Sequence, residues 1–164
     1  MLKQYRLLAA YNKQMNAQFY DACADLSSGQ LKKDRGAFFG SLHRTLNHLL
    51  LVDRLWLAGF TGELLPFRGM DEELYAEFAE LRSARETTDA DIEKWAESLT
   101  QETLDAPFSE QLTFPAWLVA THFFNHQTHH RGQLSAMLSQ CGRDYGVTDV
   151  PWVPGMAELA AALK

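Results

Sequence analysis

Residues 121–133 read THFFNHQTHHRGQ and contain four of the six histidines of this 164-residue chain. Three of the four recur at every fourth position: His122, His126 and His130. On an α-helix this spacing places side chains on adjoining turns of one face, close enough to hold a common ion. The two remaining histidines, His43 and His48, lie about eighty residues earlier, in another apolar segment. We therefore expect the fold to bring one of these two to the later cluster.

Apolar residues follow a helical period in four long segments, and no strand-like alternation, repeat or low-complexity tract interrupts them. The expected helices span residues 2–26, about 37–58, about 71–103 and about 115–141, with a short final helix over 156–163. Asp71 can cap the third helix, which can break near Thr87 and Thr88. This pattern predicts an all-α four-helix bundle with long connections and a short C-terminal helix, built as a single domain over residues 1–164.

The composition is that of a globular chain, with 46% apolar residues, a formal net charge of −6 and a pI near 5.4. Because no stripe of Lys and Arg is present, we expect no nucleic-acid partner. The longest apolar run, residues 49–52, is too short to span a bilayer, so we expect no membrane partner. The first residues run directly into an amphipathic pattern without a signal peptide, which predicts a cytoplasmic protein. Cys23 and Cys141 fall at apolar helical positions and are interpreted as reduced, buried side chains.

The apolar stripe of the fourth helix indicates which histidines face the core. At about 100° per residue, His130 falls inside the stripe and His126 on its edge, while His122 and His129 fall on the polar flank. On the second helix His48 lies beside apolar neighbours, whereas His43 lies on the margin. The expected inward set is His48, His126 and His130.

Three neutral imidazoles in an apolar core predict a divalent metal ion. Each unpaired buried polar group costs about 1–3 kcal/mol, a cost that a shared ion removes. Three protein nitrogens leave an open coordination position, as in catalytic sites. The simpler alternative is a set of core histidines, each hydrogen-bonded to a neighbour. The chain lacks the Glu-x-x-His signature of di-iron bundles, the His-Glu-x-x-His metalloprotease helix, the Gly-x-Ser-x-Gly elbow, and phosphate-loop and dinucleotide fingerprints.

Two charged residues are candidates for a supporting role around the ion. Asp53 falls within the apolar stripe of the second helix, and Arg131 follows His130 directly. One interpretation is a buried ion pair between Asp53 and a basic group such as Arg131. The other is that Asp53 orients a ligand histidine or relays a proton. Arg131 and Gln133 can also hold a substrate or close a helix interface.

The segments NHLLLVDRLW (47–56) and FNHQTHHRGQ (124–133), with GVTDVPW (146–152), resemble the DinB family (DinB/YfiT-like) over almost the whole chain. The resemblance implies an up-down-down-up four-helix bundle, often a homodimer. It also implies one divalent ion, nickel, zinc or iron, held by His48, His126 and His130. Relatives in this superfamily include bacillithiol S-transferases and the mycothiol-dependent maleylpyruvate isomerase. The family name refers to damage-inducible expression, which is not a biochemical activity.

The leading functional hypothesis is a metal-dependent enzyme that acts on a small molecule. Its most concrete form is an S-transferase or isomerase that uses a low-molecular-weight thiol, with hydrolysis second. The residues do not assign a catalytic acid or base. The alternative is a non-catalytic, metal-stabilised bundle that serves as a small-ligand or stress-response binding protein.

Overall fold

The computed structural model describes residues 1–163, and the regular structure within them is helical throughout. The elements are α1 (Leu2–Cys23), α2 (Ser28–Lys32), α3 (Leu42–Thr61), α4 (Phe78–Ser98), α5 (Gln101–Asp105), α6 (Ala116–Gln140), a 3₁₀ turn (Val150–Trp152) and α7 (Met156–Ala162). The only β-type pairings in this range are isolated bridges, Ala37 with Gly40 and Pro107 with Pro115. The all-α prediction is confirmed.

The long helices α1, α4 and α6 show their relative directions through cross-helix contacts. The pairs are Lys13–Glu93 and Asp21–Arg82 between α1 and α4, and Tyr5–Thr121 and Asn12–Arg131 between α1 and α6. As the residue number increases along α1, the number of the contacted residue decreases on α4 and increases on α6. Helix α1 therefore runs antiparallel to α4 and parallel to α6.

Helix α3 completes the bundle and packs against α4 and α6. The pairs are His48–His130 and Trp56–His122 between α3 and α6, and Asp53–Arg85 and Phe60–Trp95 between α3 and α4. Helix α3 is thus antiparallel to α6 and parallel to α4. In chain order the four long helices run up, down, down and up, as the resemblance implied.

Because α3 and α4 are parallel neighbours, the connection over residues 62–77 must run back along the length of the bundle. Asn47 of α3 fixes this crossover to the helix. Its Oδ1 accepts a hydrogen bond from the Tyr75 N–H at 2.9 Å, and its Nδ2 donates to the Tyr75 carbonyl at 3.2 Å. The crossover consequently passes close to His48, the residue after Asn47.

Helix boundaries differ from the predicted ones where local capping overrides the apolar pattern. The segment predicted as a connector after the first helix contains α2, which starts with a capping box. The Ser27 side chain accepts from the Gln30 N–H, and the Gln30 side chain accepts from the Ser27 N–H. The second helix starts at Leu42 rather than near residue 37, because Gly40 adopts φ +78° and Ser41 caps the helix.

The third predicted helix was placed too early and extended too far. Helix α4 begins at Phe78, so the prediction that Asp71 caps it is wrong. It continues through Thr87 and Thr88 without a break and ends at Ser98, where Thr100 caps the separate helix α5. The crossover that follows α3 occupies the residues that had been assigned to the first turns of this helix.

The C-terminal segment lies across the groove between α1 and α6. The Tyr11 hydroxyl donates to the Thr148 carbonyl at 2.6 Å, and Gln18 donates to the Val147 carbonyl at 3.0 Å. Val153 and Met156 bury their side chains against Tyr11 and Met15 of α1. No helix within residues 1–163 combines the length and the apolar character needed to cross a membrane.

Candidate metal centre

Three histidines from two antiparallel helices converge in the core of the bundle. Helix α3 contributes His48, and α6 contributes His126 and His130, one turn apart. The His126 Nε2 atom lies 3.3 Å from the His48 Nε2 and 3.1 Å from the His130 Nε2. One nitrogen from each ring lies within 4.8 Å of the other two. The structure thus brings together the inward set that the spacing and the apolar stripes predicted.

The outer nitrogens of two rings have fixed partners. The His48 Nδ1–H donates to the Met70 carbonyl of the crossover at 2.7 Å, and the His130 Nδ1–H donates to the Gln133 Oε1 at 2.9 Å. Because both acceptors are oxygens, these bonds place the proton on Nδ1 and leave a lone pair on Nε2. The His126 Nδ1 is buried and has no hydrogen-bond partner within the described chain.

The convergence of several nitrogen lone pairs favours the binding of a cation. Two Nε2 lone pairs, from His48 and His130, point toward His126, and one neutral imidazole can donate a proton to only one of them. Three nitrogens about 2.0–2.1 Å from a tetrahedral zinc ion lie about 3.3 Å from one another. The distances of 3.1 and 3.3 Å fit this requirement. The donor set therefore matches a divalent first-row ion.

The electrostatics of the cluster favour neutral rings. Burial, followed by the neighbouring imidazoles His130 and His48, lowers the pKa of His126 to about 3. Burial also lowers the pKa of His130 to about 4, and it lowers the pKa of His48. Neutral imidazole is the form that binds a metal ion. The metal-free cluster consequently presents lone pairs across the whole neutral pH range.

Phe39 covers one side of the cluster. Its ring stacks on His48 with centroids 3.9 Å apart and an interplanar angle of 26°, and its centroid lies 5.6 Å from that of His130. Phe39 is itself buried, whereas its neighbour Phe38 is 84% exposed. The Phe39 ring shields the rings of His48 and His130 from water on this side.

The side of the cluster at His126 is the more open to solvent. His126 is half-buried, while His122 and His129, one turn before it and nearly one turn after it, are exposed. Trp56 of α3 lies beside this opening, with its ring centroid 5.4 Å from that of His122. The prediction that His122 and His129 line the rim is confirmed. An outside ligand can approach His126 between them.

The supporting residues differ from the two that the sequence suggested. Asp53 bonds Arg85 of α4 at 2.5 Å, and Arg131 donates to Asn12 and Gln127. The buried ion pair expected for Asp53 is present, but its partner is Arg85 of the parallel helix α4 and not Arg131. Within residues 1–163, neither Asp53 nor Arg131 bonds a histidine, so the proposal that Asp53 orients a ligand ring is wrong.

The residues that do contact the cluster were only partly visible in the sequence. Gln133 lies three residues after His130 on the same helix, a spacing that could have identified it as the His130 partner. The Met70 contact is made by a backbone carbonyl and leaves no signature in residue type. His43, expected at the margin, is 1% exposed, and its Nδ1 lies 3.3 Å from the Asn47 Nδ2.

The fold and this cluster define an all-helical bundle protein with a three-histidine site compatible with a metal ion. A profile of the DinB family matches residues 1–161, so the chain belongs to the DinB family. The Protein DinB of Bacillus subtilis (strain 168) is 28% identical over 152 residues, which cover 87% of this chain and 88% of that protein. The Uncharacterized protein YizA of the same strain is 24% identical over 127 residues, covering 76% and 80%.

Proposed function

We propose that the chain is a metal-dependent enzyme in which His48, His126 and His130 hold one divalent ion. The observation that carries this proposal is the convergence of three Nε2 atoms, while the Nδ1 protons of two rings are bonded elsewhere. Three protein ligands leave a position for an outside ligand, which is typical of catalytic rather than structural ions. When bound, the ion would lower the pKa of a coordinated thiol or water.

The surrounding residues would orient the ligand rings and control access to them. The Met70 carbonyl and Gln133 hold His48 and His130 with their Nε2 atoms inward. Phe39 excludes water from the covered side. The half-buried His126 leaves the other side accessible, and the exposed imidazoles of His122 and His129 flank the entrance. A small polar substrate would bind at this entrance.

We further propose that the reaction is an S-transfer or isomerisation that uses a low-molecular-weight thiol, with hydrolysis as the second form. The resemblance to a superfamily with thiol-dependent members supports this reaction class. Zinc, nickel or iron would suit the site, because imidazole is a good ligand for all three. Turnover of thiol conjugates, compared between the metal-free and the metal-loaded protein, tests the proposal.

The metal site itself is tested by elemental analysis of protein purified without a histidine tag. The wild-type chain should retain about one divalent ion, and the His48→Ala, His126→Ala and His130→Ala variants should each lose it. His122→Ala and His129→Ala are matched controls, because these exposed histidines lie on the same helix outside the cluster. Full metal content in His126→Ala would exclude the site.

The second candidate function is a non-catalytic bundle whose ion only stabilises the fold. The burial of His48 and His130, which are 5% and 6% exposed, favours it. In that case chelation should lower the melting temperature sharply, and no small thiol or anion should bind the loaded ion. Binding of a thiol to cobalt-substituted protein, seen as a change in the visible absorption spectrum, would favour the enzyme.

We also propose a cytoplasmic homodimer with a role in stress response. The exposed apolar side chains of Phe38, Leu64 and Trp152 are available for a subunit contact. Sedimentation velocity across a concentration series measures the oligomeric state. A monomer at every concentration would contradict the dimer without affecting the metal site.

A further inference from the structure

A cavity lies on the α1 side of α6. It has a volume of about 240 Å³ and opens between α1, α6 and the C-terminal segment. Its lining includes Tyr11, Met15 and Phe19 of α1, and Thr148 and Asp149 of the C-terminal segment. None of the three clustered histidines lines it. The cavity is therefore separate from the candidate metal centre.

Arg131 is the cationic residue among those that line this cavity. Arg131 is 6% exposed, and its Nη1 donates to Asn12 and Gln127 inside the bundle. Its Nε and Nη2 have no protein acceptor within residues 1–163. Both atoms retain some solvent exposure. These two donors are thus available to the cavity. A planar pair of N–H donors matches the two oxygens of a carboxylate.

Arg131 also lacks a directly bound counter-ion. No carboxylate of the described residues lies within 4.0 Å of its guanidinium. The nearby carboxylates of Asp53 and Asp89 are both bound to Arg85 instead. The guanidinium of arginine is charged throughout the neutral pH range. A buried cation without a paired anion is unfavourable, and an anion in the cavity would complete the pair.

Gly132 also lines the cavity and is exposed. This residue lies in the interior of α6, where glycine is destabilising relative to alanine. No atom lies within 4 Å of a Cβ added at this position, so close packing does not explain the glycine. Because Gly132 lines the cavity, a longer side chain at this position can extend into it.

From these observations we propose that the cavity binds a small monocarboxylate with an apolar body. The carboxylate would pair with the Nε and Nη2 of Arg131, and the apolar body would contact the ring of Tyr11, the most exposed of the apolar lining residues. The volume of 240 Å³ is below the range of about 300–1,000 Å³ that is usual for larger ligands. The site thus fits an acid of the size of benzoate rather than a nucleotide.

The test is calorimetric titration of the metal-loaded, full-length protein with benzoate, with benzamide as a neutral analogue. Sodium chloride at equal ionic strength controls for salt. Benzoate should bind with one-to-one stoichiometry, and benzamide should bind at least tenfold more weakly, because it lacks the charge. Equal binding of both compounds, or a benzoate response no larger than that of sodium chloride, would overturn the proposal. Equal affinity for inorganic phosphate would overturn the requirement for an apolar body.

Three variants locate the binding without removing Arg131, whose bonds to Asn12 and Gln127 lie in the core. Gly132→Leu fills the cavity and should weaken benzoate binding at least tenfold, while Gly132→Ala should bind like the wild type. Asp149→Asn removes a like charge from the rim and should strengthen binding about two- to fivefold. Unchanged affinity in Gly132→Leu, or weaker binding in Asp149→Asn, would place the ligand elsewhere and reject the site.

Discussion

Two polar clusters interrupt the apolar core, one between α3 and α6 and the other between α3, α4 and α1. The histidine cluster brings together three groups of the same kind, each with a lone pair directed inward. The second cluster, which we name the ionic layer, brings together opposite charges. Arg85 lies 2.5 Å from Asp53 and 3.0 Å from Asp89, and Asn16 donates to Asp89 at 2.8 Å.

The difference distinguishes a structural cluster from one that requires a ligand. Both are buried, so burial of polar atoms alone does not identify function. In the ionic layer the charges bind one another, and removing one member leaves the others unpaired. In the histidine cluster at least one inward Nε2 lone pair is left without a donor unless a cation from outside binds it. The predictions below test this contrast, beginning with the largest expected effect.

Removal of Arg85 should have the largest effect on stability. Arg85→Met leaves Asp53 and Asp89 buried without their shared cation, which should lower the free energy of unfolding by about 3–5 kcal/mol at neutral pH. Part of this loss should be recovered near pH 5, because burial raises the pKa of Asp89 to about 6 and raises that of Asp53. Urea denaturation at both pH values measures the change.

The matched control for Arg85 lies one turn earlier on the same helix. Arg82 pairs with Asp21 and Glu86 near the surface, at 2.7 and 3.0 Å. Arg82→Met should cost less than about 1 kcal/mol, because water screens these pairs. Losses of the same size in both variants would contradict the structural role that we assign to the ionic layer.

Zinc should stabilise the protein only through the histidine cluster. At a free zinc concentration of a hundred times the dissociation constant, the free energy of unfolding should rise by about 2.7 kcal/mol. His126→Leu should abolish this gain. Without metal the same variant should be as stable as the wild type or about 1 kcal/mol more stable, because it removes an unpartnered buried nitrogen.

The exposed His129 provides the control for this experiment. His129→Leu should keep the full response to zinc, since the residue lies outside the cluster. Chemical denaturation with and without zinc or a chelator gives all four values. A metal-free His126→Leu protein that is strongly destabilised would show that the imidazole is satisfied without an ion, as in an ordinary core histidine.

The contrast between the two clusters also explains which features could be predicted from the sequence. Histidines at every fourth position and a broad apolar stripe beside His48 identified the cluster, because helical geometry fixes both relationships. The long periodic segments predicted the four long helices, and the family resemblance implied their up-down-down-up order. The ends of α4 could not be predicted, because its apolar period continues into the crossover and into α5 while local capping decides where each helix stops.

The sequence also failed to predict which residue on a neighbouring helix or loop each buried polar group contacts. Asp53 was recognised as a buried charge in need of a basic partner, but the partner suggested for it was Arg131 and not Arg85. The choice between them depends on α3 and α4 being parallel neighbours, which residue types do not encode. The Met70 carbonyl was missed for a related reason, since any residue at that position provides the same acceptor. Sequence identified groups that need partners and left the partners undetermined.

Gln133 should contribute to metal affinity without binding the ion. Gln133→Leu removes the acceptor of the His130 Nδ1–H, which should weaken zinc binding about 10- to 100-fold. Gln140→Leu, on the exposed surface of the same helix, should leave the affinity unchanged. Competition with a coloured zinc chelator measures both affinities. Equal affinities in the two variants would show that Gln133 does not fix the ring.

The smallest effect concerns pH, because the two clusters act in opposite directions in the same range. In the metal-free protein, the lowered pKa values of His126 and His130 mean that stability is lost as the pH falls from 6.5 toward 4. Asp89 has a pKa raised by burial from 3.8 to about 6. Its contribution is fully present below pH 3.8 and is lost as the pH rises through 6.

Single variants in each cluster should therefore change the pH dependence of stability with opposite sign, because each removes one of the two opposing contributions. In the presence of a chelator, His126→Leu should lose less stability than the wild type on acidification from pH 6.5 to 4. Asp89→Asn should lose more, because it lacks the group that favours the folded state in acid. Melting temperatures across this range measure both slopes. If both variants changed the slope in the same direction, the two clusters would not be electrostatically distinct, and the contrast between a closed ionic layer and an open ligand site would fail.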